Sequence, residues 1–307
     1  MVNASNNRRS VSVIIPTHNR KEWLPFAIES VLNQTRPPVE VILVDDGSTD
    51  GTDVMIRERY PEVRYFWQPR RGPAAARNRG AALARGEWLA FLDSDDRWLP
   101  QKLERQMAFL QQHPEYEAVH TDEIWIRRGR RVNPKKKHRK YGGWIYPRCL
   151  PLCIISPSSI LLSRRLWDEL GGFDESLPAC EDYDLWLRMT ANHPVGYLDE
   201  PLIVKYGGHD DQLSRQWGLD RYRVRALEKM LQQPGLPVDW YEQTREELLK
   251  KCRILIRGFE KHNRHQEAEA FRHLLQKWSG ASFSPTNHHR HPARMSPHKG
   301  LTGSIKR

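Results

Sequence analysis

Short apolar runs alternate with amphipathic stretches from Val11 to about Thr121. The runs are VSVII from Val11, VEVILV from Val39, VRYFW from Val63 and EWLAFL from Glu87. The stretches that follow them are Glu22 to Asn33, Asp50 to Tyr60, Pro73 to Arg85 and Pro100 to His113. This is the βαβα rhythm of a parallel sheet covered by helices. VSVII and VILV lack the alternation of a half-exposed strand, so they are expected at the centre of the sheet, buried on both faces. Ligands of such sheets bind beyond the carboxyl ends of the strands, which directs attention to the residues after each run.

Beyond this region the pattern changes. The stretch Arg127 to Lys140, RRGRRVNPKKKHRK, carries nine Lys or Arg residues and little that could be buried, and predicts a solvated loop. SSILLS, from Ser158, predicts a strand, and Arg164 to Leu170 a short helix ended by Gly171-Gly172. Asp182 to Ala191 predicts a helix with Leu185, Leu187 and Met189 partly inward. Two helical segments follow, Leu213 to Gln233 and Tyr241 to Trp278, the second broken near His262 to His265 into a hairpin. Ser, Pro, His, Gly and basic residues dominate from Ser279 onward, and that tail is expected to be disordered.

At 307 residues and 38% apolar content the chain can bury one large core or two modest ones, which excludes disorder throughout. A net charge of +11 suggests an anionic partner: nucleic acid, an acidic membrane surface or a phosphorylated small molecule. The four cysteines, Cys149, Cys153, Cys180 and Cys252, are too sparse for a disulfide framework and form no CxxC pair, so they are read as reduced thiols. Met1 to Arg9 is polar, without the apolar core of a signal peptide, and no apolar stretch approaches the roughly 20 residues that span a bilayer. A cytoplasmic location is expected, with peripheral contact to the inner face of an anionic membrane as an option.

The strand ends carry the chemistry. Asp45 and Asp46 follow VILV in VDDGSTDGT, where a carboxylate can accept hydrogen bonds from a pyrimidine NH or from ribose hydroxyls. Pro16, Thr17, His18 and Asn19 follow the first strand, and an imidazole there can stack on a base. Asp93, Ser94, Asp95 and Asp96 follow WLAFL; three carboxylates within four residues repel one another unless a cation sits among them. Mg²⁺ or Mn²⁺, which take hard oxygen ligands and can bridge diphosphate oxygens, answer that need. Gly72 to Gly80, GPAAARNRG, opens a helix with small residues, and its Arg77 could reach a phosphate or a sugar.

The set VSVIIPTHNR, VILVDDGSTDGT, GPAAARNRG, GEWLAFLDSDD, GGFDE and EDYDLWLR resembles the family 2 glycosyltransferases over about Val11 to Ser214. The resemblance implies a GT-A fold, an α/β nucleotide-binding domain with a mostly parallel central sheet, and inversion at the sugar's anomeric centre. It implies nucleoside contacts from Asp46 and Asp45, with Pro16, Thr17, His18, Asn19, Arg77 and Ser94 as further nucleotide neighbours. It matches Asp93 and Asp95 to the family's metal-binding DxD motif, with Asp95 in direct contact, and places His209, in YGGHDDQLS, near the metal or diphosphate. It makes Asp182 the general base, with Glu181 and Trp186 beside the sugar or acceptor. The expected organisation is a flexible N-terminus (1–10), a GT-A domain (11–212), a helical extension (213–278) and a basic tail (279–307). Within the GT-A domain the nucleotide-binding half is 11–121 and the acceptor-binding half 122–212.

The expected partners are a nucleotide-sugar, a UDP-sugar first, and a glycan, lipid-linked or other hydroxyl acceptor in cell-envelope polysaccharide synthesis. Two other readings stay open. The basic run and tail could grip nucleic acid or anionic lipid, although the run lacks interleaved aromatics and matches no nucleic-acid module. An inactive relative could bind sugar nucleotides without turnover, against which the intact Asp93, Asp95 and Asp182 weigh.

Overall fold

The computed structural model describes residues 10–208 and 217–280. Its strands are β1 Val11–Thr17, β2 Glu40–Asp46, β3 Arg64–Gln68, β4 Trp88–Phe91, β5 Asp96–Trp98, β6 Ala118–Arg127, β7 Arg130–Val132, β8 Leu161–Ser163 and β9 Gly196–Gly207. They form one nine-stranded sheet in the order β3-β2-β1-β4-β8-β6-β9-β5, with β7 paired to β6. Strands β3, β2, β1 and β4 are parallel, as the βαβα rhythm predicts. Every residue of β1 is buried, which is why VSVII shows no alternation. From β8 onward antiparallel pairs enter, and β6 runs parallel to β9.

The helices over the first half are α1 Leu24–Leu32, α2 Thr52–Arg59, α3 Pro73–Leu83 and α4 Lys102–Gln112. A Cβ on Gly80 of α3 would lie 2.4 Å from Cγ2 of Ile14. Only a glycine lets α3 lie this close on β1, and that approach carries the α3 N-terminus to the carboxyl ends of β1 and β2.

The second half adds α5 Tyr146–Cys149, α6 Arg164–Leu170, α7 Glu181–Asn192, α8 Asp220–Gln232, α9 Val238–Lys261 and α10 His265–Ser279. The break between α9 and α10 falls where the sequence places it. The C-terminal helices share one core with the α/β domain: Leu227, Leu248 and Phe259 belong to the same buried cluster as Tyr146, Tyr183 and Leu162. Tyr146 stacks on Trp240 at 5.0 Å and meets Thr244 Oγ1 at 2.8 Å. Of the expected flexible N-terminus (1–10) and disordered tail (279–307), all but Ser10, Ser279 and Gly280 lie outside the described residues; Ser279 is the last residue of α10, so the helix runs one residue into the expected tail.

One expectation is corrected. The basic stretch 127–140 is not simply a solvated loop: Arg127 ends β6, Arg128 and Gly129 make a two-residue turn with φ of 50° and 73°, and Arg130 starts β7. Lys140, at its end, is buried against Glu123 at 3.0 Å.

Candidate active site

A cleft of about 850 Å³ opens along the carboxyl ends of β1, β2 and β4 and continues past β6 and β9 to the start of α7. Of the residues singled out in the sequence, Pro16, Thr17, His18, Asn19, Asp46 and Arg77 line it. So do Asp93, Ser94, Asp95, Glu181 and Asp182.

Two do not. Asp45 is fully buried, accepting from the Tyr65 hydroxyl (2.7 Å) and the Ser48 amide (2.8 Å); adjacent strand residues point to opposite faces, so only one of the pair can face the cleft. Trp186 is 1% exposed, with its ring 6.1 Å from that of Phe173 in the core, and cannot touch a sugar from there. It lies three residues after the buried Tyr183, on the inward face of α7. His209 lies outside the described residues.

At the β1–β2 end of the cleft, Asp46 is an anchor. Its Oδ1 accepts from Gln68 Nε2 (2.7 Å) and the Arg71 amide (2.8 Å), and its Oδ2 from the Gly72 amide (2.7 Å). The carboxylate thereby fixes the loop that leads into α3. His18 Nδ1 donates to the Asp46 carbonyl at 2.9 Å; a carbonyl can only accept, so Nδ1 carries a proton. Asn19, at φ 51°, donates its amide to Ser48 Oγ and accepts from the Thr49 amide, both at 2.8 Å, tying the β1 and β2 loops together. The buried hydroxyl of Thr17 has no hydrogen-bond partner among the described residues. An orphaned buried hydroxyl at a cleft wall is suited to a polar ligand.

Arg77 occupies the centre. Its two terminal nitrogens bind Glu181 Oε1 (2.6 Å) and Asp93 Oδ1 (2.7 Å), and its side chain is buried. The guanidinium thereby braces two carboxylates, while its Nε has no hydrogen-bond partner among the described residues. Burial favours the neutral acid at Asp93, but Arg77 and Lys205 outweigh it and hold its carboxyl below the usual range. Asp96 is held differently. Burial pushes it up to about 8 against the pull of Lys205, with Asp95 and Asp93 adding to the rise. Ser158 donates to Asp96 (2.7 Å) and accepts from the Asp93 amide (3.1 Å), bracing the turn.

Asp93 keeps 24% and Asp95 21% of its side chain exposed, and Asp95 meets Arg20 at 3.9 Å. Among the described residues no three His, Cys, Asp or Glu side chains converge on one point. Two hard oxygen donors facing a cleft fit a divalent cation that takes its remaining ligands from a substrate diphosphate and water.

The far side of the cleft contains residues not named as site residues from the sequence: Glu123, Lys140, Cys153, Lys205 and Arg223. Glu123, 7% exposed, is bound by Lys140 (3.0 Å), the Ser156 hydroxyl (2.7 Å) and Trp125 Nε1 (2.8 Å). Although burial opposes ionisation, Lys140 and Lys205 draw its carboxyl down to about 2. Lys205 sits 3.7 Å from Asp96. A lone lysine inside the apolar run LIVKYG was the available signal. Asp182, partly exposed at the first turn of α7, meets Cys153 Sγ at 3.3 Å.

Residues 12–162 match the family model for glycosyl transferase family 2. An uncharacterized glycosyltransferase of Rickettsia felis is 34% identical over 200 residues, 62% of this chain and 32% of that protein. The chain spans about a third of the length of several such relatives. S. aureus TarS in complex with UDP-GlcNAc superposes with a TM-score of 0.64 at 20% identity, covering 82% of this chain and 73% of that one. The mannosyltransferase PcManGT of Pyrobaculum calidifontis, in complex with GDP-Man and Mn²⁺, superposes with a TM-score of 0.56 at 20% identity, over 89% and 76% of the two chains. The fold is accordingly that of the GT-A glycosyltransferases, with the C-terminal helices added.

Proposed function

The chain belongs to glycosyl transferase family 2, and from that premise we propose that it moves a sugar from a nucleotide-diphosphate sugar to an acceptor hydroxyl, with inversion and metal assistance. The observation that carries this reading is the Arg77 brace. One guanidinium joins Asp93, beside the expected metal position, to Glu181, the neighbour of Asp182, so that donor and acceptor chemistry share one rigid frame.

In this reading the β1 and β2 loops hold the nucleoside, with His18 against the base and the Thr17 hydroxyl free to bond it. Asp93 and Asp95 would hold Mn²⁺ or Mg²⁺, which when bound neutralises charge on the departing diphosphate. Asp182 takes the proton of the acceptor hydroxyl as its oxygen attacks the anomeric carbon. The carbon's bond to the diphosphate oxygen breaks on the opposite face, and the electron pair leaves with that oxygen. Glu181 is engaged by Arg77, which leaves Asp182 as the carboxylate available for this work.

The nucleotide-sugars named with TarS and PcManGT support such a donor, and UDP-sugars are the first to try. No helix among the described residues is long and apolar enough to cross a membrane. We place the reaction on the cytoplasmic side, in the assembly of a cell-envelope polysaccharide. Calorimetry of UDP, GDP and dTDP with Mn²⁺ and with chelator tests the reading. One diphosphate is expected to bind at least ten-fold more tightly with Mn²⁺. Equal binding of all three with and without chelator contradicts the metal assignment, and no binding of any contradicts the donor.

A further inference from the structure

We propose that the basic β6–β7 hairpin is the acceptor subsite and that the acceptor is a polyanionic glycan, a chain bearing phosphate or carboxylate groups; this rests on the transferase reading above. The hairpin is built into the cleft wall. Glu123, Trp125 and Arg127, alternate residues of β6, line the cleft, and Arg130 stands directly opposite Arg127 in the β6–β7 pair, hence on the same face. His138 and Lys140 join them from the returning chain.

The charge is uncompensated. The eight Lys and Arg residues from Arg127 to Arg139 have no carboxylate within ion-pairing distance among the described residues. Exposed arginines elsewhere, such as Arg57, Arg105 and Arg165, each have one. Crowded like charges destabilise a fold unless a counter-charge arrives, and an anionic chain supplies one. The Trp125 ring is held edge-on by His138 at 4.9 Å, with the Arg127 guanidinium 5.3 Å from its centre. An aromatic ring with a guanidinium beside it suits a sugar ring with an acidic substituent.

Position separates this surface from the donor. Strand β6 lies four places from β2 in the sheet, roughly 19 Å at about 4.8 Å per strand, too far to serve the nucleoside. It is joined instead to the base. Lys140 Nζ donates to the Ile154 carbonyl (2.6 Å), Ser156 binds Glu123 (2.7 Å), and Cys153 of the same segment meets Asp182 (3.3 Å). Arg127, His138 and Lys140 line the concave cleft while the other cations of the run stand outside it, so a thin chain held by the outer cations can continue inward where a bilayer surface cannot.

The test uses the full chain with two fluorescein-labelled probes, an oligogalacturonate for carboxylate and a glycerol-phosphate oligomer for phosphate, read by anisotropy. At least one is expected to bind, more weakly as salt rises, with neutral dextran unable to compete. Arg127→Gln with Arg130→Gln is expected to weaken it ten-fold or more, while Arg57→Gln with Arg165→Gln changes it less than two-fold. Nucleotide-diphosphate binding with Mn²⁺ is measured on the same variants as the control for folding. Neither probe binding, or affinity unchanged in the hairpin variant, overturns the proposal. So does a hairpin variant that loses binding to phosphatidylglycerol vesicles but not to either probe, which would make the hairpin a membrane surface. Failure of the wild-type chain to bind any nucleotide diphosphate counts against the transferase reading alone, because the probe result is read independently of it.

Discussion

The sulfur of Cys153 lies 3.3 Å from Oδ2 of Asp182 and 3.2 Å from the carbonyl oxygen of Ile155. Burial, reinforced by the negative charge of Asp182, pushes the thiol well above its ordinary range, so it remains protonated and can donate. With one proton and two acceptors, it orients the carboxylate without locking it.

Cys153→Ala should therefore lower kcat about three- to ten-fold, the worth of one hydrogen bond of roughly 0.6 to 1.4 kcal/mol, with KM for the donor unchanged. Cys153→Ser, which keeps a donor, should recover most of the loss. Steady-state kinetics of the two variants decide this. A serine variant no better than alanine would reduce the contact to packing.

Removing Arg77 strands two carboxylates. Asp93 and Glu181 share its guanidinium, and breaking a buried pair costs about 3–5 kcal/mol. Arg77→Gln should lose stability on that scale in denaturant unfolding, and Mn²⁺ should restore part of it by supplying positive charge near Asp93. A variant as stable as wild type, or one indifferent to Mn²⁺, would remove Arg77 from the centre of the site.

Glu123 gives the chain an acid-sensitive contact. Its carboxyl is drawn down to about 2 in the fold, below the ordinary 4.5, chiefly through Lys140 against the opposing effect of burial. A depressed carboxyl pKa stabilises the fold above pH 4.5, and the contribution is lost as pH falls from 4.5 through 2. At neutral pH Glu123→Gln should cost about 3 kcal/mol, since Lys140 is left buried without its counter-charge. The gap between variant and wild type should narrow steadily below pH 4.5. Urea unfolding at a series of pH values measures it; a gap independent of pH would contradict the ion pair.

The first half of the α/β domain was legible because its central strands are buried on both faces and read as unbroken apolar runs. Strands β6 and β9 were not, since AVHTDEIWIR and GYLDEPLIVKYG mix charge with apolar residues and take their register from partners far away in the chain. The charge of 127–140 hid a hairpin that Gly129 alone could have signalled. Asp45 and Asp46 could not be told apart until the direction of each along β2 was known. Trp186 was misread although its three-residue spacing from Tyr183 already marked the inner face of α7. The Arg77 brace joins residues 104 apart, Arg77 and Glu181, and no local pattern encodes it.

The central claim is that Asp182 removes the acceptor's proton. Nucleotide release from the donor is measured for wild type, Asp182→Asn and Glu181→Gln with Mn²⁺, alongside calorimetric donor affinity. Asp182→Asn should lose about 10²- to 10⁴-fold in kcat, because an amide cannot accept the proton, while donor affinity stays within two-fold. Glu181→Gln should be milder. Near wild-type turnover by the Asn variant, or a Glu181→Gln variant that is the inactive one, would place the base elsewhere.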